Sequence, residues 1–122
     1  DLQTLDDCHD ACCIAAEAGD SDTYYYANEA FHEAIRLIGG NGFLHLEIGR
    51  LQKQLQAFRR LQLRARARVG ASLREHADIL QAIKAAQPGD AAEAMRTHIA
   101  IQNDQFTDII ATLQRSQPHS AA

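Results

Sequence analysis

Apolar residues recur at three- and four-residue intervals along most of this chain, and nowhere do apolar and polar residues alternate over a useful length. That spacing lays an apolar stripe along a helix, whereas a half-buried strand needs a period of two. With only two prolines to interrupt it, the pattern predicts an all-α domain. At 122 residues the chain makes one domain, long enough to bury about two thirds of the surface its unfolded form exposes. A core of that size needs no disulfides.

Five helices are expected. The first covers roughly residues 2 to 18, with Leu2, Leu5, Cys8 or His9, Cys12 and Ile14 to Ala16 as its buried stripe, and stops at Gly19. Asp20, Ser21 and Asp22 offer N-caps for the second, which runs from about Thr23 to Ile38 with Tyr24 or Tyr25, Asn28, Phe31, His32, Ile35 and Ile38 on one face. Gly39-Gly40-Asn41-Gly42 breaks it. The third is long, from about Phe43 into the sixties, with Leu44, Ile48, Leu51, Leu55 and Phe58 inward, and ends at Gly70. Ser72-Leu73-Arg74-Glu75 has the form of a capping box and starts the fourth, with Leu73, His76, Ala77, Leu80 and Ile83 inward. After the turn Gln87-Pro88-Gly89, Asp90 to Glu93 repeats the capping logic. The fifth helix then runs to about Arg115 with Met95, His98, Gln102, Phe106, Ile109 and Leu113 along its stripe.

Three of these stripes carry a histidine where an apolar residue is expected, and one carries an amide as well. Asn28 and His32 are four residues apart and so share a helix face. Polar groups turned into a core need partners. The turn between the last two helices is short enough to make them antiparallel neighbours. His76 lies some ten residues before the end of its helix and His98 some eight after the start of the next, so at about 1.5 Å of rise per residue the two sit within roughly 3 Å of the same height. One histidine on an apolar stripe is more often a hydrogen-bonded core residue than a ligand. Three histidines and an amide, all inward and two of them level, favour a shared metal ion held by Asn28, His32, His76 and His98. Imidazole nitrogen suits a divalent transition metal such as Zn, Ni, Co, Mn or Fe. Four neutral ligands leave the ion its full charge, which predicts an acidic small molecule as the bound ligand. Gln102, one turn beyond His98, and Gln54 and Arg50 on the long third helix are the candidate contacts to that molecule.

The net charge of −4 argues against nucleic-acid binding by this chain itself. The charge is unevenly spread, with eight of the twelve Lys and Arg between Arg50 and Arg74 and none in the first 35 residues, a dipole that favours self-association or docking to another domain. Arg59, Arg60, Arg64, Arg66, Arg68 and Arg74 therefore read as a solvated or domain-facing surface before they read as contacts to DNA phosphates. Cys8, His9, Cys12 and Cys13 form a second, weaker candidate for a soft metal, since Cys8 and Cys12 share a face but Cys12 and Cys13 diverge. An odd number of cysteines, no secretory leader and no run of apolar residues long enough for a bilayer point to a cytoplasmic protein with no membrane partner.

The order Asn-Glu-Ala-Phe-His-Glu-Ala-Ile, Gly-Gly-Asn-Gly-Phe-Leu, Arg-Glu-His-Ala-Asp-Ile-Leu-Gln-Ala-Ile and Gly-Asp-Ala-Ala-Glu-Ala-Met-Arg-Thr-His-Ile resembles the FCD effector-binding domain of GntR-superfamily transcriptional regulators, from about Leu5 to Ile101. The resemblance implies an antiparallel bundle of six or seven helices, a homodimer, and a central pocket for a metal and a small organic acid. It implies residues 1–115 as the effector-binding and dimerisation domain, partial at its N-terminus, and 116–122 as a flexible tail. Carried over by position, the family's metal ligands fall on Asn28, His32, His76 and His98, with Asn28 standing where many members have Asp. Such regulators reach operator DNA through an N-terminal winged helix-turn-helix, and their first effector-domain helix supplies an arginine to the effector; neither element is recognisable here. The resemblance implies that effector binding shifts the bundle and so the spacing of the attached DNA-binding domains.

Two other functions are open to such a chain. An open three-histidine site can activate water in a hydrolase-like enzyme, but Glu29 and Glu33 flank the ligands on the wrong faces and Glu75 is assigned to the cap, leaving no acid or base. A metal-free helical dimerisation module would carry the same histidines as satisfied core residues.

Overall fold

The computed structural model describes residues 1–65 and 67–117. Arg66, the tail from 118 onward, and the side chains of Phe106 and Ile109 lie outside the described residues. The described residues form six α-helices and no strand: α1 (Leu2–Glu17), α2 (Ser21–Gly39), α3 (Gly42–Gln54), α4 (Gln56–Arg64), α5 (Arg68–Lys84) and α6 (Pro88–Ser116). Two antiparallel hairpins, α1 with α2 and α5 with α6, pack through α1 and α5, and α4 closes over α2, α5 and α6. Among the described residues no helix is long and apolar enough to cross a membrane.

The turns follow from local chemistry. Asp1 caps α1 by accepting from the Gln3 amide at 2.9 Å, and Asp20 caps α2 by accepting from Thr23 at 3.0 Å. Gly40 takes the left-handed conformation (φ 71°) that ends α2, and Asn41 then accepts from the Leu44 amide at 3.0 Å to begin α3. The glycine stretch is thus a C-cap and an N-cap back to back. The core gathers Leu5 and Cys12 of α1, Tyr24 and Phe31 of α2, Leu63 of α4 and Leu80 of α5. Tyr24 spends its hydroxyl inside that core on Ser72 Oγ, 2.9 Å away.

Several expectations are corrected. The long third helix is two helices, because the backbone turns at Leu55 (φ −96°, ψ 4°). Beyond that break α4 lies along α2, drawn there by Arg59 to Glu29 at 3.0 Å, Arg60 to the Tyr26 hydroxyl, and Arg64 to Asp22 at 3.5 Å. Arg60 also stacks over the Tyr25 and Tyr26 rings. The α4 arginines are the adhesive of an antiparallel helix pair. The expected inner face of the third helix is open: Leu44 and Leu51 of α3 and Leu55 at the break are exposed, and no residue of α3 is buried.

Gly70 does not terminate a helix; it lies inside α5, which begins at Arg68. Ser72 and Glu75 therefore form no capping box. Ser72 is a buried partner of Tyr24, and Glu75 accepts from Arg68. Along α5, Ala77 is exposed and Ile79 buried, because the inner face follows Ser72, His76, Ile79 and Leu80. At the start of α6, Gln87 precedes the helix and Pro88 occupies its first position, so Asp90 is a first-turn residue and not the cap. Leu2, Ile14, Ile38 and Leu113, assigned to stripes, are exposed.

Candidate metal centre

Three helices deliver the centre. His32 comes from α2, His76 from α5 and His98 from α6, and all three side chains are buried. Their rings stand 4.9 Å apart for His32 and His76, 5.1 Å for His32 and His98, and 4.8 Å for His76 and His98, centroid to centroid. One nitrogen from each lies within 4.8 Å of the others, close enough to chelate one divalent metal ion. Phe31, beside His32 in the chain, stacks on His76 at 4.4 Å and forms the apolar wall behind it.

Burial keeps the imidazoles neutral. It pushes His32 well below the ordinary histidine range, with His76 and His98 adding to the shift, and lowers His76 to about 3. Burial lowers His98 as well, against the opposing pull of Glu75. Neutral imidazole is the form that coordinates a metal. The donor set also has unmet capacity. Both ring nitrogens of His76 and the Oδ1 of Asn28 are buried with no hydrogen-bond partner, a state that costs about 1–3 kcal/mol per group. A cation among them supplies the missing partner, so the residues present fit a metal. Asn28 is buried, and His32 Nε2 and His98 Nε2 face each other at 3.2 Å.

Around the histidines stands a polar shell that sequence spacing did not reveal. Glu75 Oε1 lies 2.6 Å from His98 Nδ1, and the same carboxylate accepts two hydrogen bonds from Arg68, at 2.9 and 3.0 Å. Burial works to raise the Glu75 pKa, but the bonds from Arg68 and His98 prevail and hold it below the usual carboxylate range. The only signal in the sequence is the adjacency of Glu75 to His76, and the local Ser-x-x-Glu pattern masks it. Gln102 donates through Nε2 to His98 Nε2 at 3.1 Å, while its backbone carbonyl accepts from Gln62 at 2.8 Å.

Beside Gln102 opens a pocket of about 240 Å³ lined by Leu55, Phe58, Arg59, Gln62, Ile99 and Asn103 together with Gln102 itself. Of the expected effector contacts, Gln102 lines it. Gln54 is exposed on α3 and Arg50 is exposed and pairs with Glu47 at 3.5 Å; neither lines the pocket. Arg59, a cation in this pocket, was not among them.

Among the described residues the three histidines are the one group of His, Cys, Asp or Glu close enough to hold a metal. The cluster of Cys8, His9, Cys12 and Cys13 is not such a group. Its cysteines are free thiols, and burial pushes Cys12 up to about 12, leaving it protonated and inert. Glu29 is engaged by Arg59.

A family model described as FCD domain matches residues 1–101 of the chain. No curated protein and no solved structure matches it.

Proposed function

The chain belongs to the FCD domain family, and from that premise we propose that it is the ligand-sensing domain of a GntR-family transcriptional regulator, binding a small organic acid at a metal held by His32, His76 and His98. Its role is regulatory rather than enzymatic. The observation that carries the reading is the convergence of three buried neutral imidazoles, from three separate helices, within 4.8 Å of one another. Asn28 Oδ1, buried and unpartnered, is the fourth protein ligand. The metal is Zn, Ni, Mn or Fe, and when bound it supplies a full positive charge to which a carboxylate is drawn.

The pocket beside Gln102 is the effector's seat. Gln102 orients the acid from the side of His98, and Arg59, rather than Arg50 or Gln54, supplies a second cation. A molecule bridging the two ends of such a pocket is a small mono- or dicarboxylate. The exposed leucines of α3 and Phe43 beside them support a homodimer, since several large apolar side chains on one helix mark an association surface. In the whole regulator the effector shifts the packing of the bundle, and the shift reaches operator DNA through an N-terminal winged helix-turn-helix.

Elemental analysis of the purified protein, native and with His76 and His98 both changed to Ala, tests the reading, followed by a thermal-shift screen of small carboxylates. A transition metal lost in the double variant, with one class of acid stabilising only the native protein, is the expected result. Absence of metal in both proteins after reconstitution rejects it.

A further inference from the structure

Arg68 is the first residue of α5 and almost wholly buried, with only 2% of its side chain exposed. A buried guanidinium without a partner costs several kcal/mol, so its two bonds to Glu75 hold both groups in place. A carboxylate gripped by a guanidinium in this way can only accept. The 2.6 Å contact from His98 Nδ1 to Glu75 Oε1 therefore requires Nδ1 to carry the proton. It follows that Nε2 bears a lone pair, and Nε2 is the atom facing His32.

We propose that Arg68 and Glu75 are the positioning pair of the metal centre. They fix the tautomer and ring direction of His98 and tie the centre to the junction between α4 and α5. This rests on the metal-sensing reading above and deepens it. The tie to the junction is physical. Arg68 follows Ala67, which holds the left-handed conformation (φ 65°), and the Arg68 amide donates to the Ala65 carbonyl at 3.1 Å. On the other side of the junction, Gln62 of α4 donates to the Gln102 carbonyl, one turn beyond His98. The junction is thus fastened on both flanks to the segment of α6 that carries His98. A cation on Nε2 makes the Nδ1–H a better donor, which strengthens the bond to Glu75 and hence the hold on Arg68.

Glu75→Gln separates this role from general packing. Oε1 accepts from both His98 Nδ1 and Arg68 Nη2, and Oε2 from Arg68 Nη1. An amide keeps one acceptor oxygen, loses the charge that grips Arg68, and turns an N–H toward a donor, so at least one of the three bonds is lost. Zinc affinity is read by competition with a chromophoric chelator, the His98 tautomer by imidazole nitrogen NMR of the metal-free protein, and the junction by hydrogen exchange of the amides between 67 and 71 with and without zinc. The expected results are affinity about 10- to 100-fold weaker in Glu75→Gln, a proton on His98 Nδ1 in the native protein, and zinc-dependent protection of the junction lost in the variant. Glu75→Asp, which keeps the charge, recovers part of the affinity. Ser72→Ala, a destabilising change on the same helix face, leaves affinity unchanged. Native affinity in Glu75→Gln, or a proton on His98 Nε2 in the native protein, overturns the proposal alone. A native protein that binds none of zinc, nickel, manganese or iron overturns it together with the sensor reading.

Discussion

His32 and His98, 66 residues apart in the chain, stack nearly parallel at 5.1 Å with their Nε2 atoms 3.2 Å from each other. Two imidazoles so arranged cannot both carry charge, and two lone pairs at that separation repel unless a proton or a cation lies between them. Removing either ring removes a ligand. His32→Ala and His98→Ala are each expected to weaken metal binding by more than the ~10–100-fold that loss of a supporting contact costs, measured by chelator competition.

Asn28→Asp should act in opposite directions on the two forms of the protein. A carboxylate at this buried position adds negative charge to a neutral donor set and tightens metal binding. In the metal-free protein it has no hydrogen-bond partner where Asn28 Oδ1 has none, and it destabilises by upward of about 1–3 kcal/mol. Chemical denaturation with and without zinc reads both effects.

Acid should unfold the metal-stripped protein by way of its histidines. His76 titrates at about 3 in the fold and near 6.5 in the unfolded chain, so between those values only the unfolded state binds the proton. The stabilisation is present above about pH 6.5 and is lost as pH falls toward 3, at roughly 1.4 kcal/mol per pH unit for this one residue. His32 and His98, shifted the same way, steepen the slope. Urea denaturation at stepped pH measures it, and the loss should be absent above pH 7.

The bond from Tyr24 to Ser72 predicts non-additivity. Tyr24→Phe leaves the Ser72 hydroxyl alone in the core and should cost about 1–3 kcal/mol, whereas Tyr24→Phe combined with Ser72→Ala removes both partners and should cost less than the two single changes added together. Phe31→Ala, which deletes the ring stacked on His76, should cost about 3–5 kcal/mol.

Arg59→Gln separates effector from metal. It removes the cation of the pocket and the ion pair to Glu29 but no metal ligand. Thermal stabilisation by carboxylates should fall sharply while bound metal, measured by elemental analysis, stays at the native level.

The histidines were legible because a helix converts sequence spacing into direction. His32, His76 and His98 sit in stripes whose period is unmistakable, and the short turn at Gln87 and Pro88 sets two of them level. The shell around them was not legible. Glu75 meets Arg68 seven residues back on its own helix and His98 on the next, and the local pattern at Ser72 imitates a helix start closely enough to hide both. The break at Leu55 carries no glycine or proline; it is marked only by arginines that find Glu29, Tyr26 and Asp22 once α4 lies on α2. Exposure of the α3 leucines was equally unreadable, since an apolar stripe looks the same whether its partner is a helix of this chain or not.

α6 is one unbroken helix of 29 residues, and His98 sits about a third of the way along it. Some eighteen residues, about 27 Å at helical rise, project from the histidine toward Ser116. The helix is in effect a cantilever clamped at its sensing end. A tilt of about five degrees at His98, less than one side chain's adjustment to a ligand, sweeps the tip through roughly 2 Å. Lever geometry of this kind turns a small rotation at His98 into a several-fold larger displacement at Ser116.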